Sequence, residues 1–320
     1  MRRLFGKIFF GLFNWLIKFT FFFRIFNYVY ERLPCSAIAH SIIRIVTDNI
    51  RAPHKDLSWK IRLYNGHSVI TRIYQGNMKS WQFALVYKLQ DPALNILETV
   101  LDQYYDKCVP WIDIGSNLGL RSLTALSSGR RVWMFEPNKE TNYLNQQRCR
   151  LNNFIDYSIV ELCLSSIDGE MTFYYDESSY RSSLSIQNIA KEKIIKIENV
   201  KTAKLDSYFD LNKLTFNQAC IKIDTEGHEF EVIKGGEALI NKINPTLIIE
   251  INEKNEQIVK MASYFFGLGY EIYEIKYFGN RKILKQIKTD ENLRLYNYQT
   301  DNFLMIKDAK LKECFLKYMY

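Results

Sequence analysis

At 320 residues, nearly half of them apolar, the chain has enough hydrophobic sequence for one large α/β core with roughly a hundred residues over, which excludes a peptide or a linker. Forty-three Lys and Arg against 35 Asp and Glu give a formal net charge of +8, a surface bias toward anions that singles out neither nucleic acid, phospholipid nor phosphorylated substrate. The six cysteines (Cys35, Cys108, Cys149, Cys163, Cys220, Cys314) form no C-x-x-C pair and have no histidine nearby, so no metal is expected and they read as reduced core thiols of a cytosolic chain.

Residues 1–34 form the first unit. Phe, Ile, Leu and Trp crowd residues 1–30, interrupted by Arg2, Arg3, Lys7, Lys18 and Arg24, and the longest uncharged apolar run, 8–17, spans ten residues. A bilayer-spanning helix needs about twenty. At 100° per residue, Arg3, Lys7, Gly11, Asn14 and Lys18 share one narrow face, as in an amphipathic helix lying on an anionic membrane surface. A helix packed on the protein's own body is the alternative; a cleaved signal peptide would need a small-x-small site, and none follows.

Residues 35–108 read as a hairpin and helix extension. Trp59, Ile61 and Leu63 alternate with polar residues, Asn65-Gly66 supplies a tight turn, and Val69, Thr71 and Ile73 continue beyond it. Asp91-Pro92 caps a helix running toward Asp102. Residues 109–320 then alternate, with strands expected at 111–114, 132–135, 158–163, 219–224, 246–251, 270–275 and 303–307 and helices at 140–152, 230–240 and 256–268. Short apolar strands separated by helices imply an α/β fold with a mainly parallel sheet covered on both faces. Asp168-Gly169 marks a hairpin turn inserted after the third strand, and 178–199 is polar enough for a mobile loop near the substrate.

Ligands of an open parallel sheet bind beyond the carboxyl ends of its strands. The first strand ends in Asp113-Ile-Gly115-Ser116-Asn117-Leu-Gly119: glycines allow positive φ and close approach of the backbone, and Asp113 can accept from a ligand ammonium. The second ends in Phe135-Glu136-Pro137, and an acid at that distance from the glycine loop meets the two hydroxyls of an adenosine ribose. Together, in order, these segments point to a nucleoside-binding domain.

With Leu205-Asp206, Lys222-Ile-Asp224-Thr-Glu226-Gly227-His228-Glu229, Gly235-Gly236 and Ile248-Ile249-Glu250, the series resembles the FkbM family of methyltransferases over about 109–307. The resemblance implies a Rossmann-like class I methyltransferase fold with seven strands, the last antiparallel, S-adenosyl-L-methionine as donor and a hydroxyl as acceptor. Ser116 stands where the family often has alanine. The third strand ends in Glu161-Leu162-Cys163 without the acid that many relatives turn to the adenine amino group, so adenine contact falls to backbone around Leu162 and Cys163. Asp224 ends the fourth strand where donor and acceptor should meet. His228 has two readings: general base, since a pKa of about 6.5 leaves it mostly neutral at pH 7, or simply the start of the next helix with Glu229. Glu226 and Glu250 are candidates for orienting the acceptor, and Glu250 reads equally as a hydrogen-bonded strand end.

A nicotinamide-dependent oxidoreductase on this scaffold requires G-x-G-x-x-G, and Asn117 replaces the second glycine. A sugar-nucleotide transferase holding Mg²⁺ or Mn²⁺ on Asp224 and Glu226 leaves the glycine loop and Glu136 without a task. A scaffold that has lost catalysis does not explain why every nucleoside-contacting position carries a suitable residue. The expected acceptor is a small molecule, a saccharide or a glycolipid, not nucleic acid, handled in the cytoplasm at the inner face of a membrane.

Overall fold

The computed structural model of the protein describes residues 24–29, 55–86, 92–176, 194–251, 256–276, 283–288 and 302–319. The proposed surface helix therefore lies almost wholly outside the described residues, as does the Asp91 cap. Its described tail, 24–29, is helical and leaves Ile25, Tyr28 and Val29 exposed. Phe26 packs against Trp59 at 5.6 Å between ring centroids, and the Asn27 side chain exchanges hydrogen bonds with the Lys60 backbone. Among the described residues no helix is long and apolar enough to cross a membrane.

Strict alternation of buried and exposed residues makes Leu57–Arg62 (β1) and Ser68–Ile73 (β2) an antiparallel hairpin. Gly66 turns it with φ +87. The hairpin is not free-standing. Asn152 Oδ1 accepts from Ile70 N at 2.7 Å while its Nδ2 donates to Ile70 O, so a side chain completes the edge of β2. Trp59 meets Trp81 of Met78–Val86 (α1) edge to face at 5.7 Å.

After Pro92–Tyr104 (α2) the chain lays down Trp111–Ile114 (β3), Leu120–Ser127 (α3), Val132–Phe135 (β4), Lys139–Leu151 (α4) and Tyr157–Val160 (β5). Cys163–Leu164 (β6), Gly169–Asp176 (β7) and Ile194–Ala203 (β8) follow, then Leu205–Tyr208 (α5), Cys220–Ile223 (β9), Glu229–Gly235 (α6), Glu237–Ile243 (α7), Thr246–Glu250 (β10) and Glu256–Gly267 (α8). Glu271–Ile275 (β11), Leu284–Ile287 (β12), Asn302–Ile306 (β13) and Ala309–Phe315 (α9) complete the fold. The main sheet runs β12-β11-β13-β10-β9-β3-β4-β5, and β13 is antiparallel to both of its neighbours. Seven of these strands are the seven expected, with the last of them, β13, antiparallel; β12, paired antiparallel to β11, is an eighth at the edge.

Strand residues alternate between two apolar cores. Trp111, Val132, Met134, Ile248 and Leu304 face the hairpin, α2 and α3, while Ile112, Phe135, Ile249 and Phe303 face α6, α7 and α8. The central strands β3 and β9 are buried at every position, as a parallel sheet covered on both faces requires.

Several boundaries differ from the sequence reading. The third strand stops at Val160, and Cys163 leaves the main sheet to start a separate three-stranded one, β6-β8-β7. Asp168-Gly169 turns the chain between β6 and β7, which do not pair, because β8 lies between them; the hairpin is β7 with β8. Residues 194–199, expected in a mobile loop, belong to β8, while 177–193 lie outside the described residues. The helix expected at 230–240 is two helices meeting at Gly236, where the backbone is not helical. Cys108 and Cys314 are exposed, so among the described residues only Cys149, Cys163 and Cys220 are core thiols; Cys35 lies outside them.

Candidate active site

The loop after β3 is shaped by contacts that forbid larger residues. At Gly115, φ is +74 and a Cβ would stand 1.8 Å from the Asp224 carbonyl oxygen, so only glycine lets the ends of β3 and β9 approach this closely. Gly115 N and Ser116 N both donate to Phe135 O, turning the loop toward β4. Asn117 takes the left-handed conformation at φ 45, donating its N–H to Glu136 Oε2 at 3.0 Å and receiving Asn145 Nδ2 on its carbonyl at 2.7 Å. Gly119, also left-handed, caps α3.

Glu136 stands at the tip of β4 with both oxygens engaged: Oε2 by Asn117 N and Oε1 by Asn138 N at 2.9 Å. It is 8% exposed. Burial pushes its carboxyl up to about 7 against the opposing pull of the two amides.

Beyond β9, charge is concentrated around one lysine. Buried Lys222 Nζ lies 2.6 Å from Asp224 Oδ2. Burial works to lower its pKa, but the Asp224, Asp113 and Glu250 carboxylates outweigh that and hold it above its ordinary value. Asp113 is itself buried, with Oδ2 accepting from Ser122 Oγ at 2.6 Å, and burial raises its pKa despite Lys222. The turn 225–228 is organised by Glu229, whose Oε1 accepts from Thr225 N, Thr225 Oγ1 and Gly227 N at 2.9 to 3.0 Å. Within that turn Glu226 adopts φ 55, an uncommon conformation for a residue with a side chain. His228 precedes α6; its Nε2 lies 2.9 Å from Ser165 Oγ, and burial lowers its pKa.

These elements line a cleft beyond the carboxyl ends of β3, β4 and β9. Of the residues singled out in the sequence, Gly115, Asn117, Glu136, Pro137, Leu162, Cys163, Asp224, Glu226 and His228 line it together. Asp113, Ser116 and Gly119 do not: Asp113 faces Ser122 and Lys222 beneath the loop, Ser116 is buried, and Gly119 packs against Asn145. Glu250 sits at the end of β10, within the field of Lys222 and outside the cleft lining. His228 also borders a second groove with Phe230, Glu231, Lys234 and Lys260.

Several participants carried no motif. Phe173 enters the cleft from β7, a strand whose return to the site depends on the extra sheet. Asn145 and Arg148, not singled out in the sequence, are buried beneath the hairpin, where Arg148 donates to Leu118 O and Asn145 Oδ1 and lies over the Phe83 ring at 3.8 Å. Glu229, by contrast, closes the Lys222 to Glu229 motif as its third acid, and its role in holding the turn adds to its reading as a helix start.

A sequence model of the Methyltransferase FkbM domain matches residues 113–272. The chain is 26% identical over 159 residues to the hexuronic acid methyltransferase AglP of Haloferax volcanii, a match covering 49% of this chain and 62% of that protein. Among solved structures it is similar to a methyltransferase FkbM from Methylobacillus flagellatus (TM-score 0.41, 14% identity, 71% of this chain and 54% of that one). It is also similar to the Pyrococcus abyssi tRNA (uracil-54, C5)-methyltransferase in complex with S-adenosyl-L-homocysteine (TM-score 0.36, 12% identity, 78% and 43%). The match thus spans less than two thirds of the length of each of these relatives. With the family's domain spanning half of its length, from the tip of β3 to β11, the chain belongs to the FkbM methyltransferase family.

Proposed function

We propose that the protein transfers a methyl group from S-adenosyl-L-methionine to a hydroxyl of a saccharide or glycolipid, with the cleft as donor site. The observation that carries this reading is Glu136: a buried carboxylate at the tip of β4, directed with both oxygens at backbone N–H groups of the cleft wall and therefore preformed to receive a pair of ribose hydroxyls. Leu162, Cys163 and Phe173 supply an apolar wall for adenine, and Gly115, Asn117 and Pro137 line the rest. Asp113, Ser116 and Gly119 serve the donor indirectly, by shaping the loop and neutralising Lys222 beneath it.

The sulfonium donor supplies a methyl group that is already activated, so the protein's tasks are positioning and proton removal. His228, largely neutral because burial lowers its pKa, takes the proton of the acceptor hydroxyl as the methyl leaves the donor sulfur for that oxygen. Asp224, fixed by Lys222, stands between donor and acceptor, and Glu226 and Glu250 orient the acceptor from the rim. The relative named for a hexuronic acid supports a saccharide acceptor.

Titration calorimetry tests the donor: S-adenosyl-L-methionine and S-adenosyl-L-homocysteine bind and NAD does not, while Glu136→Ala weakens donor binding by about 10- to 100-fold, the share expected for hydrogen bonds to a charged acceptor. Binding of NAD in place of the donor sinks the proposal. Tritiated methyl transfer to hexuronic acid oligosaccharides, neutral oligosaccharides and lipid-linked saccharides ranks the acceptors. Work at the inner face of a membrane is part of the same reading, supported by the exposed Ile25, Tyr28 and Val29 beside the aromatic N-terminus. Co-sedimentation with anionic liposomes should fall when residues 1–30 are removed, and equal sedimentation of both forms removes the membrane from the proposal.

A further inference from the structure

We propose that Ser165 is a positioning residue that sets the tautomer of His228, holding the ring proton on Nε2 and leaving Nδ1 as the proton-accepting atom; this rests on His228 being the base. Ser165 follows β6, and its backbone is fixed from two sides. Its N–H donates to Ala203 O of β8 at 2.9 Å. Its carbonyl oxygen occupies the space where a Cβ on Gly235 would stand, 1.9 Å away, so the glycine of α6 is what admits the strand end against the helix that His228 begins. The side chain, on a residue only 2% exposed, then has two neighbours: His228 Nε2 at 2.9 Å and Met171 Sδ at 3.7 Å.

The serine has one proton to give and two neighbours able to take it, and we place that proton on the sulfur side. A hydroxyl has one proton and a thioether sulfur has none, so between Ser165 and Met171 only the serine can donate. With its proton on Met171, the serine oxygen offers a lone pair toward His228, and Nε2 brings the hydrogen. A neutral imidazole carries one proton, so Nδ1 keeps its lone pair. Among the described residues Nδ1 has no hydrogen-bond partner, and His228 lines both the cleft and the adjoining groove. As the methyl carbon–sulfur bond breaks and the carbon–oxygen bond forms, leaving the neutral thioether S-adenosyl-L-homocysteine, the acceptor hydroxyl's proton passes to Nδ1; the ring becomes an imidazolium whose Nε2–H bond to Ser165 is charge-assisted, and the proton later leaves to solvent. Burial, which lowers the pKa of His228, keeps the ring in its neutral, proton-accepting form beforehand.

The test uses the full chain with ¹⁵N-labelled histidine and long-range ¹H–¹⁵N correlation at pH 8, the His228 signals being assigned by their loss in His228→Gln. The unmodified protein should show the Nε2–H pattern. Met171→Leu keeps the bulk but removes the acceptor of the serine proton, so the hydroxyl turns to Nε2, the ring shifts to Nδ1–H, and methyl transfer to a hexuronic acid oligosaccharide falls on the order of tenfold or more with the KM for donor unchanged. Ser165→Ala, which leaves the backbone contact with Gly235 intact, gives a mixture of tautomers and a similar fall. A role in packing alone would not move the ring pattern. An Nδ1–H pattern in the unmodified protein, or an unaltered pattern in Met171→Leu, overturns the assignment. Full turnover in His228→Gln overturns the reading of His228 as base, separately from the tautomer signature that decides Ser165.

Discussion

Replacing Glu136 by glutamine keeps the shape of the side chain and removes its charge, which turns the environment of the cleft into a measurable pH dependence. In the folded protein burial raises this carboxyl from 4.5 to about 7 even though two backbone amides oppose the shift. Between those two values the folded chain holds a proton that the unfolded chain has released. Stability from this group is therefore fully present below 4.5 and is lost as pH rises through about 7, the cost at pH 8 being about 3 kcal/mol at 1.36 kcal/mol per pH unit. Glutamine does not titrate. It can accept from one of the two amides, Asn117 N or Asn138 N, and leaves the other facing its own NH₂, a penalty independent of pH. The stability gap between the two proteins should thus shift in favour of glutamine by about 2.5 kcal/mol between pH 5 and pH 8. Urea unfolding followed by tryptophan fluorescence at pH 5, 6.5 and 8, extrapolated linearly, measures the gap. Glu98, Asp113 and Glu229, whose pKa values burial also raises, are common to both proteins and cancel. A gap constant across the three pH values refutes the argument that this acid is held against its preference. A positive result means that the protein gives up folding stability to keep a carboxylate in the cleft, the pattern expected of a binding group.

Three further perturbations follow from the same geometry. Gly115→Ala places a methyl group 1.8 Å from Asp224 O at φ +74, so it should lower stability by more than about 2 kcal/mol and lower the thermal midpoint accordingly; an unchanged midpoint would mean that β3 and β9 part without cost. Lys222→Met leaves Asp113 buried beside Asp224 without their shared cation, and urea titration should show a loss of about 3–5 kcal/mol, whereas a loss under 1 kcal/mol would show that the lysine is not the charge on which the site depends. Glu226→Gly relieves a left-handed conformation and should stabilise the fold by up to about 1 kcal/mol while raising the KM for the acceptor; stabilisation with an unaltered KM would remove Glu226 from acceptor binding.

The parts of the fold that were legible in the sequence are those dictated by local rules. The alternation in β1 and β2, the turn at Asn65-Gly66 and the short, mainly apolar runs of β3, β9 and β10 are local signals, and the strand-end acids and glycines mark the cleft because ligand binding requires those residue types at those places. The extra sheet was not legible. Its order, β6-β8-β7, depends on a strand that returns from 194 to lie between two earlier ones, and no local pattern encodes which of two β-forming segments will pair.

Burial of polar residues was hidden for a related reason, and it bears on how the site is held. The helix α4 presents Asn142, Asn145 and Arg148 at helical spacing, a pattern that elsewhere faces water. Here the hairpin covers that face, and the buried polar groups must bond inward: Asn142 to the carbonyl of Glu136, Asn145 to that of Asn117, and Arg148 to that of Leu118. Three side chains of one helix thus fix the backbone on both sides of the Glu136 carboxylate. Arg148 also reaches Thr71 of β2, so the hairpin shares in positioning the loop over which the donor is proposed to lie. Among the described residues its guanidinium has no carboxylate partner, and burial lowers its pKa to about 9. Such a cation is tolerated only because it closes the joint between the hairpin, α4 and the glycine loop. The N-terminal extension is in this sense a structural part of the cleft, tied to it by a residue whose charge alone would have assigned it to the surface.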